Sequence, residues 1–220
     1  MASNLFVSRG GEKLQAAIVN FQLSIVNLIV LDVGSSTGGF VDCLLQNKAK
    51  KVYALDTSYG ELAWKLRNDP KVVVMERTNI LHLAHLPGEN VRWNKAHLEG
   101  EGRDTSDGGR LSLRSHDSSE VEKVDLITID AGWTKLELVL PVVKKFLKPG
   151  GIIIALLKPH YEGGQKHLVK GVLPQQIAEQ VKEQVVKKIY DLGFMIEDQM
   201  ESPILGGAGN QEYLLLIGLS

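Results

Sequence analysis

The sequence contains one cysteine among its 220 residues, which excludes a disulfide framework within the chain. Cys43 lies in the middle of a predicted helix, where we interpret it as a small core residue. The chain also lacks an apolar run of about 18 residues, the length that a membrane-spanning helix needs. Residues 1–9 do not have the form of a signal peptide. We therefore expect a soluble protein of the reducing cytoplasm.

An excess of charge of one sign is also missing, because 25 lysines and arginines nearly balance 26 aspartates and glutamates. A formal net charge of −1 gives no general attraction to nucleic acid, so any such binding must be local. Hydrophobic residues make up 44% of the chain, as is usual for globular proteins. The length predicts one α/β domain over residues 1–220 with a substantial core.

Residues 88–120 differ in composition from the rest of the chain. They are rich in glycine, serine and charged residues, and their few aliphatic residues show no sustained period. A strand pattern resumes directly after them, so they do not separate two domains. We interpret them as a mobile surface insertion within the single domain.

The remaining sequence alternates short apolar runs with amphipathic segments. Strands are predicted at residues 28–32, 51–55, 71–75, 124–129, 152–157, 194–198 and 212–217. Helices are predicted at residues 12–21, 38–46, 60–67, 136–147 and 175–191. This order indicates a doubly wound, Rossmann-like α/β fold with a mostly parallel seven-stranded sheet and helices on both faces. Ligands of such sheets bind at the carboxyl ends of the strands.

Residues 31–40, LDVGSSTGGF, predict a buried strand, a glycine-rich turn and the start of a helix. Glycines allow close approach of a ligand to the backbone, and amides at the helix start face it. The spacing departs from the Gly-x-Gly-x-x-Gly of dinucleotide-binding turns. An acid just before the first glycine suits a cationic amino group, which S-adenosylmethionine carries beside its sulfonium. The predicted cofactor-binding residues here are Asp32, Gly34, Ser35, Thr37, Gly38, Gly39 and Phe40.

Polar residues follow four further predicted strands. Asp56 comes about the right distance after the glycine turn to bind ribose hydroxyls, although dinucleotide-binding proteins use such an acid as well. Asn79 is placed where a residue would contact adenine, and Asp130 and Lys158 follow two later strands. Acids and a lysine at four strand ends, counting Asp32, predict a site rather than isolated structural residues. No metal site is predicted. His82 and His85 are three residues apart, but the sequence shows no third or fourth ligand near them.

Five ordered motifs extend along nearly the whole chain outside the insertion. They are Ser8-Arg-Gly-Gly-x-Lys13, residues 31–40, Glu76-Arg-Thr-Asn79, Leu157-Lys-Pro159 and Ser202-Pro…Gly209-Asn-Gln-Glu-Tyr-Leu. Together they resemble the TlyA family of FtsJ-like RNA ribose methyltransferases, whose members are also named hemolysins. The resemblance implies a class I methyltransferase fold and S-adenosylmethionine as cofactor. It also implies RNA as the partner, either ribosomal RNA or an assembled subunit, with methylation at a cytidine.

The chain departs from this family in three places. Members usually carry a small RNA-binding domain before the Ser-Arg-Gly-Gly turn, and this chain starts at that turn. Gly132-Trp133 stands where members usually have Ser-Phe, and Lys158-Pro-His-Tyr-Glu162 stands where they usually have Lys-Pro-Gln-Phe-Glu. Aromatic character is kept at both places.

The resemblance implies a catalytic Lys-Asp-Lys-Glu set at Lys13, Asp130, Lys158 and Glu212. A ribose 2′-hydroxyl attacks the sulfonium methyl group in line, so the enzyme must align both groups and remove or share the hydroxyl proton. A lysine can act as the base only when neutral, which a second lysine favours and the two acids oppose. We therefore expect Lys158 to act as base or hydroxyl orienter, Asp130 to align it, and Lys13 and Glu212 to support them.

Residues 131–190 hold a local surplus of positive charge, with ten basic and four acidic residues. Such a surplus suits contacts with an RNA backbone, and an aromatic side chain suits stacking on a base. The predicted RNA-binding residues are Arg9, Trp133, Lys166 and Lys170.

Three other functions are open to this sequence. A methyltransferase for a small molecule or protein would not need two lysines, because its acceptor is already a good nucleophile. A membrane-acting hemolysin would need an amphipathic stretch with a cationic and a bulky apolar face, which the sequence does not show. An RNA-binding module without catalysis would not need the complete Lys-Asp-Lys-Glu set.

Overall fold

We analysed a computed structural model of the chain, which describes residues 5–87, 122–132, 134–163 and 167–219. The insertion predicted at residues 88–120 lies outside the described residues, and so do Trp133 and Lys166. The interpretation of the chain as one domain with a mobile insertion therefore stays a prediction.

Seven strands form one sheet. They are β1 (Ile29–Val33), β2 (Lys51–Leu55), β3 (Val72–Met75), β4 (Val124–Ile129), β5 (Leu147–Leu157), β6 (Phe194–Glu201) and β7 (Tyr213–Leu219). Their order across the sheet is β3-β2-β1-β4-β5-β7-β6. The first five are parallel to their neighbours, and β7 runs antiparallel to both β5 and β6. The mostly parallel, seven-stranded sheet predicted from the sequence is confirmed.

In the described residues, six α-helices cover the two faces of the sheet. They are α1 (Gly10–Asn20), α2 (Gly39–Gln46), α3 (Trp64–Arg67), α4 (Leu136–Val143), α5 (Pro159–Glu162) and α6 (Gln175–Asp191). Apolar residues of α1, α2 and α3 pack in one core layer, and those of α4 and α6 pack in the other. The doubly wound arrangement is therefore confirmed. None of the helices in the described part of the chain combines the length and apolar character needed to cross a membrane.

Two predicted helices differ from those in the structure. The helix predicted at residues 60–67 covers only Trp64–Arg67, because Ala63 has extended dihedral angles and its amide donates to the Thr37 carbonyl oxygen at 3.2 Å. The helix predicted at residues 136–147 ends at Val143, where a 3-10 turn over Lys144–Phe146 replaces it. The helix α5 was not predicted at all.

The prediction for the fifth strand was also wrong at its start. Strand β5 begins at Leu147 rather than at residue 152, because Leu147 already pairs with Val124 of β4. The next pair joins Leu126 to Ile152, so the residues between them bulge out of the ladder. Gly150 has a φ of 74° within this bulge, which is why the stretch resembles a turn in the sequence.

The register of the strands brings polar residues to one edge of the sheet. Val33 pairs with Leu55 and with Ile129, so the residues that follow β1, β2 and β4 lie side by side. Leu157 pairs with Tyr213 in the antiparallel direction, so the residue before β7 lies beside the residue after β5. The carboxyl edge of the parallel strands therefore also carries the start of β7.

Candidate active site

An open cleft of about 240 Å³ lies at this edge, between the glycine-rich turn and the start of α1. Six of the predicted cofactor residues line it, namely Gly34, Ser35, Thr37, Gly39, Phe40 and Asp130. Arg9 and Lys13 line it as well, and so do Ser8, Gly10, Ser36, Gly206 and Gly207, which were not predicted as site residues. Four other candidates, Asp32, Gly38, Asp56 and Asn79, do not line its wall.

The glycines of the glycine-rich turn stand at positions where a side chain would overlap neighbouring residues. Gly34 has a φ of 89°, and a Cβ atom there would lie 2.6 Å from the carbonyl oxygen of Asp130. Gly38 has a φ of 96°, and a Cβ atom there would overlap the side chain of Leu66. The amides of Gly34 and Ser35 both donate to the carbonyl oxygen at the end of β2, at 2.8 and 3.1 Å. The turn is thus held against both neighbouring strand ends.

Asp32 lies fully buried beneath this turn. Its Oδ1 accepts a hydrogen bond from Thr128 Oγ1 at 2.6 Å, whereas its Oδ2 has no partner among the described residues. Burial raises the pKa of Asp32 from 3.8 to about 7; the Thr128 bond lowers it, and the charges of Asp130 and Asp56 raise it further. A cation bound next to the turn would therefore favour the charged carboxylate.

Asp56 is tied to the glycine-rich turn by hydrogen bonds. Its Oδ2 accepts from the Ser36 amide at 2.7 Å, and its Oδ1 accepts from the amide and hydroxyl of Ser58 at 2.8 and 2.7 Å. A carboxylate has about four acceptor sites, two on each oxygen. One site on Oδ2 is therefore left for a ribose hydroxyl.

Asn79 has its side-chain oxygen engaged, because Oδ1 accepts from the Leu81 amide at 2.9 Å and caps a 3-10 turn. A contact with adenine would have to use its amide nitrogen. This role stays a prediction.

Replacing Asp56 with alanine should weaken S-adenosylmethionine binding by about 1.5–3 kcal/mol, the usual value of a hydrogen bond to a charged acceptor. The measurement is titration calorimetry on the purified variant. Asp69→Ala is the matched control. Asp69 also accepts a hydrogen bond from a backbone amide, that of Lys71 at 2.8 Å, but it lies before the start of β3, away from the carboxyl ends of the strands. Equal affinities for Asp56→Ala and wild type would remove Asp56 from the cofactor site.

The four residues of the implied catalytic set meet at the cleft as two ion pairs. Lys13, buried in the first turn of α1, pairs with Glu212, which directly precedes β7. Lys158 Nζ lies 2.5 Å from Asp130 Oδ1, in ion-pair contact but without the angles of a hydrogen bond. Each pair places one member on the cleft wall, Lys13 and Asp130 respectively. The unfavourable position of Lys13 at a helix start is offset by its carboxylate partner.

The loop that precedes Glu212 is fixed by Asn210, a residue whose role the sequence did not reveal. Asn210 is buried, and its Oδ1 accepts from the Leu173 amide at 2.8 Å. Its Nδ2 donates to the carbonyl oxygens of Gly171 and Gly207, each at 2.9 Å. Asn210 therefore joins the turn that carries Lys170 to the loop beside Glu212.

His160 is a buried residue near the two ion pairs, and it was not predicted as a site residue. It follows Lys158-Pro159 in α5, is 9% exposed, and its Nδ1 has no hydrogen-bond partner among the described residues. Burial lowers the pKa of His160 below 6.5; the charge of Glu212 raises it, and those of Lys158 and Lys13 lower it. The histidine therefore belongs to the same electrostatic cluster as the two ion pairs. Its only signal in the sequence was the departure from the family pattern at this position.

The predicted RNA-binding residues are only partly described. Arg9 is exposed at the cleft wall, and Lys170 is exposed in the turn between Val169 and Val172. Trp133 and Lys166 lie outside the described residues, so their roles stay predictions. Within the described ranges, no three His, Cys, Asp or Glu residues are grouped so that they could hold a metal ion.

Comparison with known proteins gives a consistent family. Residues 6–219 match the family described as FtsJ-like methyltransferase. The chain is 38% identical over 213 residues to YqxC, a candidate rRNA methyltransferase of Bacillus subtilis, and covers 64% of that protein with 96% of its own length. It is 34% identical over 213 residues to TlyA of Mycobacterium tuberculosis, a 16S/23S rRNA (cytidine-2′-O)-methyltransferase, with coverage of 96% of this chain and 67% of TlyA.

A solved structure agrees with these sequence relatives. The crystal structure of a candidate hemolysin from Lactococcus lactis superposes with a TM-score of 0.77 at 36% identity, covering 98% of this chain and 89% of that one. The chain thus spans about two thirds of the length of the sequence relatives YqxC and TlyA and most of this solved chain.

Proposed function

This chain belongs to the FtsJ-like methyltransferase family, in the group of TlyA and hemolysin A, and from this we propose that it methylates a ribose 2′-hydroxyl of RNA. S-adenosylmethionine is the proposed methyl donor, and a cytidine of ribosomal RNA is the proposed acceptor. The M. tuberculosis relative, a 16S/23S rRNA (cytidine-2′-O)-methyltransferase, supports this choice of acceptor.

The observation that carries the proposal is the pair of lysine–carboxylate contacts beside the glycine-rich turn. Methylation of an amine or thiolate needs little help with a proton, whereas a ribose hydroxyl is a weak nucleophile that must be oriented and deprotonated. A cluster of two lysines and two acids at the mouth of a cofactor cleft suits this harder acceptor.

The residues around the cleft fit S-adenosylmethionine, which supplies the methyl group when bound. Its carboxylate would find Arg9 on the cleft wall, and Asp130 on the same wall would hold its amino group, with Asp32 buried behind the turn. Asp56 would hold the ribose through its remaining acceptor site. Gly34 and Gly39 line the cleft and allow the turn to pack closely against Asp130 and Ser8, because a Cβ atom at either position would overlap these residues.

The contact between Lys158 and Asp130 supports the role of hydroxyl orienter for Lys158. An ammonium group has three N–H donors and no acceptor. The contact with one carboxylate oxygen of Asp130 therefore leaves donors of Lys158 for the oxygen of a substrate hydroxyl. Asp130 would then align Lys158.

We expect methylation of an assembled ribosomal subunit to be faster than methylation of the same RNA without protein, by roughly tenfold or more at physiological salt. Two exposed basic residues beside the site, Arg9 and Lys170, are the described candidates for phosphate contact, and so few contacts give weak, salt-sensitive binding. An assembled subunit can present an unstacked nucleotide on a rigid surface.

The measurement is the initial rate of tritiated methyl transfer to separated subunits and to deproteinised RNA, followed by nuclease mapping of the labelled nucleotide. Label in a ribose 2′-O-methylcytidine supports the proposal. Label in protein or in a base would contradict it, and equal rates on both substrates would show that the chain recognises naked RNA by itself.

A further inference from the structure

The buried ion pair of the cleft has a glycine packed against its carboxylate. Glu212 contacts Lys13 through Oε2, and the two side chains are 3% and 11% exposed. A Cβ atom at Gly206 would overlap Oε1 and Cδ of the same glutamate and would lie 3.1 Å from its Cγ. Both Lys13 and Gly206 line the cleft. The carboxylate of Glu212 therefore occupies the space that a side chain at residue 206 would need.

The backbone conformation of Gly206 does not itself require glycine. Its φ of −71° and ψ of −166° are those of an extended chain, which other residues adopt without strain. Gly209 in the same loop is different, because its φ is 90°. The glycine at position 206 is therefore explained by the neighbouring carboxylate and not by the path of the chain.

The loop that carries Gly206 is held by hydrogen bonds on both sides of this residue. The Gly206 amide donates to the carbonyl oxygen of Asn210 at 2.9 Å, and the Gly206 carbonyl oxygen accepts from the Gly209 amide at 3.2 Å. The Ser202 amide donates to the carbonyl oxygen of Glu212 at 2.8 Å and closes the base of the loop. Two side-chain hydrogen bonds of Asn210 tie the loop to the segment before α6. A side chain added at residue 206 would therefore displace the carboxylate of Glu212 more readily than the loop.

We propose that Gly206 is a positioning residue for methyl transfer. By leaving space for the carboxylate of Glu212, it keeps this acid against Lys13 and keeps Lys13 on the cleft wall. Nonbonded heavy atoms pack about 3.5–4 Å apart, so a methyl group at residue 206 has to push the carboxylate away by more than about 1 Å. A buried ammonium group without its partner is unfavourable, so Lys13 then has to move as well. The inference rests on the proposed function, and Gly206 acts in it through residues of the implied catalytic set.

The test is the single-turnover rate of methyl transfer to ribosomal subunits for wild type and Gly206→Ala. We expect the variant to be slower by about 10–10²-fold, because a misplacement of about 1 Å at a reacting site can cost that much. Affinity for S-adenosylmethionine, measured by calorimetry, should stay within about threefold, since the proposed cofactor contacts include neither Lys13 nor Glu212. A Gly206→Ala rate within threefold of wild type would overturn the role of Gly206.

Gly218→Ala is the matched control. A Cβ atom at Gly218 in β7 would likewise overlap a glutamate carboxylate, that of Glu197, and would lie 3.1 Å from its Cδ. Gly218 pairs with Met195 of β6, and neither Gly218 nor Glu197 lines the cleft. The control therefore makes the same change against the same kind of side chain, away from the site, and should retain the rate of wild type. Equal losses in both variants would show that overlap at a glycine slows the reaction wherever it occurs, which would also overturn the inference.

A double-mutant cycle measures whether Gly206 acts through Glu212. Glu212→Ala removes the carboxylate and the overlap together, so adding Gly206→Ala in that background should lower the rate by less than about twofold. A glycine with an independent structural role would instead multiply the two losses, and this result would contradict the proposal. If Gly206→Ala alone does not fold, the double variant should fold because the overlap is gone. Failure of both, with Glu212→Ala folded, would show that the glycine serves the loop and not the ion pair.

A crystal structure of Gly206→Ala gives a readout that needs no turnover. We expect the distance from Lys13 Nζ to the nearest carboxylate oxygen of Glu212 to exceed about 4 Å, the limit of an ion pair, with the loop backbone in place. A retained contact would overturn the inference. A wild-type protein that methylates no RNA would instead overturn the proposed function, and the crystal structure would still decide whether Gly206 holds the ion pair together.

Discussion

Replacing Lys158 with methionine should lower the rate of methyl transfer about a thousandfold, the loss typical of one positioned donor or proton-transfer group. Methionine keeps much of the length of the side chain and removes the ammonium group that would orient the attacking hydroxyl. Because this group acts on the hydroxyl as it reacts, affinity for S-adenosylmethionine should stay within about threefold. Single-turnover rates and calorimetry measure the two quantities.

The other end of the same two strands offers a matched control. Lys148, in the first part of β5, pairs with Asp125 of β4 at 2.7 Å, as Lys158 pairs with Asp130 beyond their carboxyl ends. Lys148→Met therefore removes a comparable lysine–aspartate contact between the same strands, away from the cleft. It should retain methyl transfer. A loss of activity in both variants would show that these contacts serve the sheet rather than the reaction, and a Lys158→Met rate near wild type would remove Lys158 from catalysis.

Asp32→Asn should make the ligand-free protein more stable above neutral pH and weaken its affinity for the cofactor. Burial raises the pKa of Asp32 from 3.8 to about 7, which corresponds to about 4 kcal/mol in the free energy of unfolding, at about 1.4 kcal/mol per tenfold change in proton affinity. Because the pKa is higher in the folded state, the protonated Asp32 contributes this free energy fully below about pH 4, and the contribution is lost as the pH rises to about 7. Asparagine does not ionise, so the Asp32→Asn variant should be more stable than wild type by up to about 4 kcal/mol above that pH.

Urea unfolding at about pH 4 and pH 8 measures the change, since wild type and Asp32→Asn should differ only at the higher pH. Asp42→Asn is the control with the opposite sign. Asp42 is also buried, but its Oδ2 accepts from the Val7 amide and contacts Lys65 Nζ, each at 2.9 Å, so loss of its charge should destabilise the fold. An effect of Asp32→Asn on stability that does not depend on pH would contradict the raised pKa of Asp32. Unchanged cofactor affinity would show that Asp32 serves the fold alone.

The parts of the site that depend on local sequence could be predicted. The parallel strands that end at this edge of the sheet are recognisable as apolar runs. The positions of Asp56, Asp130 and Lys158 therefore followed from where those runs stop. The glycine-rich turn was recognisable because Gly34 and Gly38 occupy backbone conformations that other residues avoid. The order of strands and helices then specified the sheet and the edge at which the cleft lies.

The parts that depend on distant contacts could not be predicted from local pattern. The partner of Lys13 lies 199 positions away, and only the family resemblance related the two residues. The early start of β5 depends on pairing with β4, which no property of residues 147–151 reveals. The burial of His160 and the contacts of Asn210 depend on what surrounds them after folding, since neither lies in a periodic segment that would mark it.

The position of β7 has a consequence for the order in which the protein can be completed during synthesis. Strand β7 follows β6 in the sequence, yet it lies between β5 and β6 rather than at the margin of the sheet. Until residues 213–219 leave the ribosome, the apolar strand β5 has an unpaired edge and β6 has no strand to join. Glu212 is translated immediately before β7. A nascent chain therefore gains the partner of Lys13 and the strand that joins β5 to β6 in the same step, and it has neither before then.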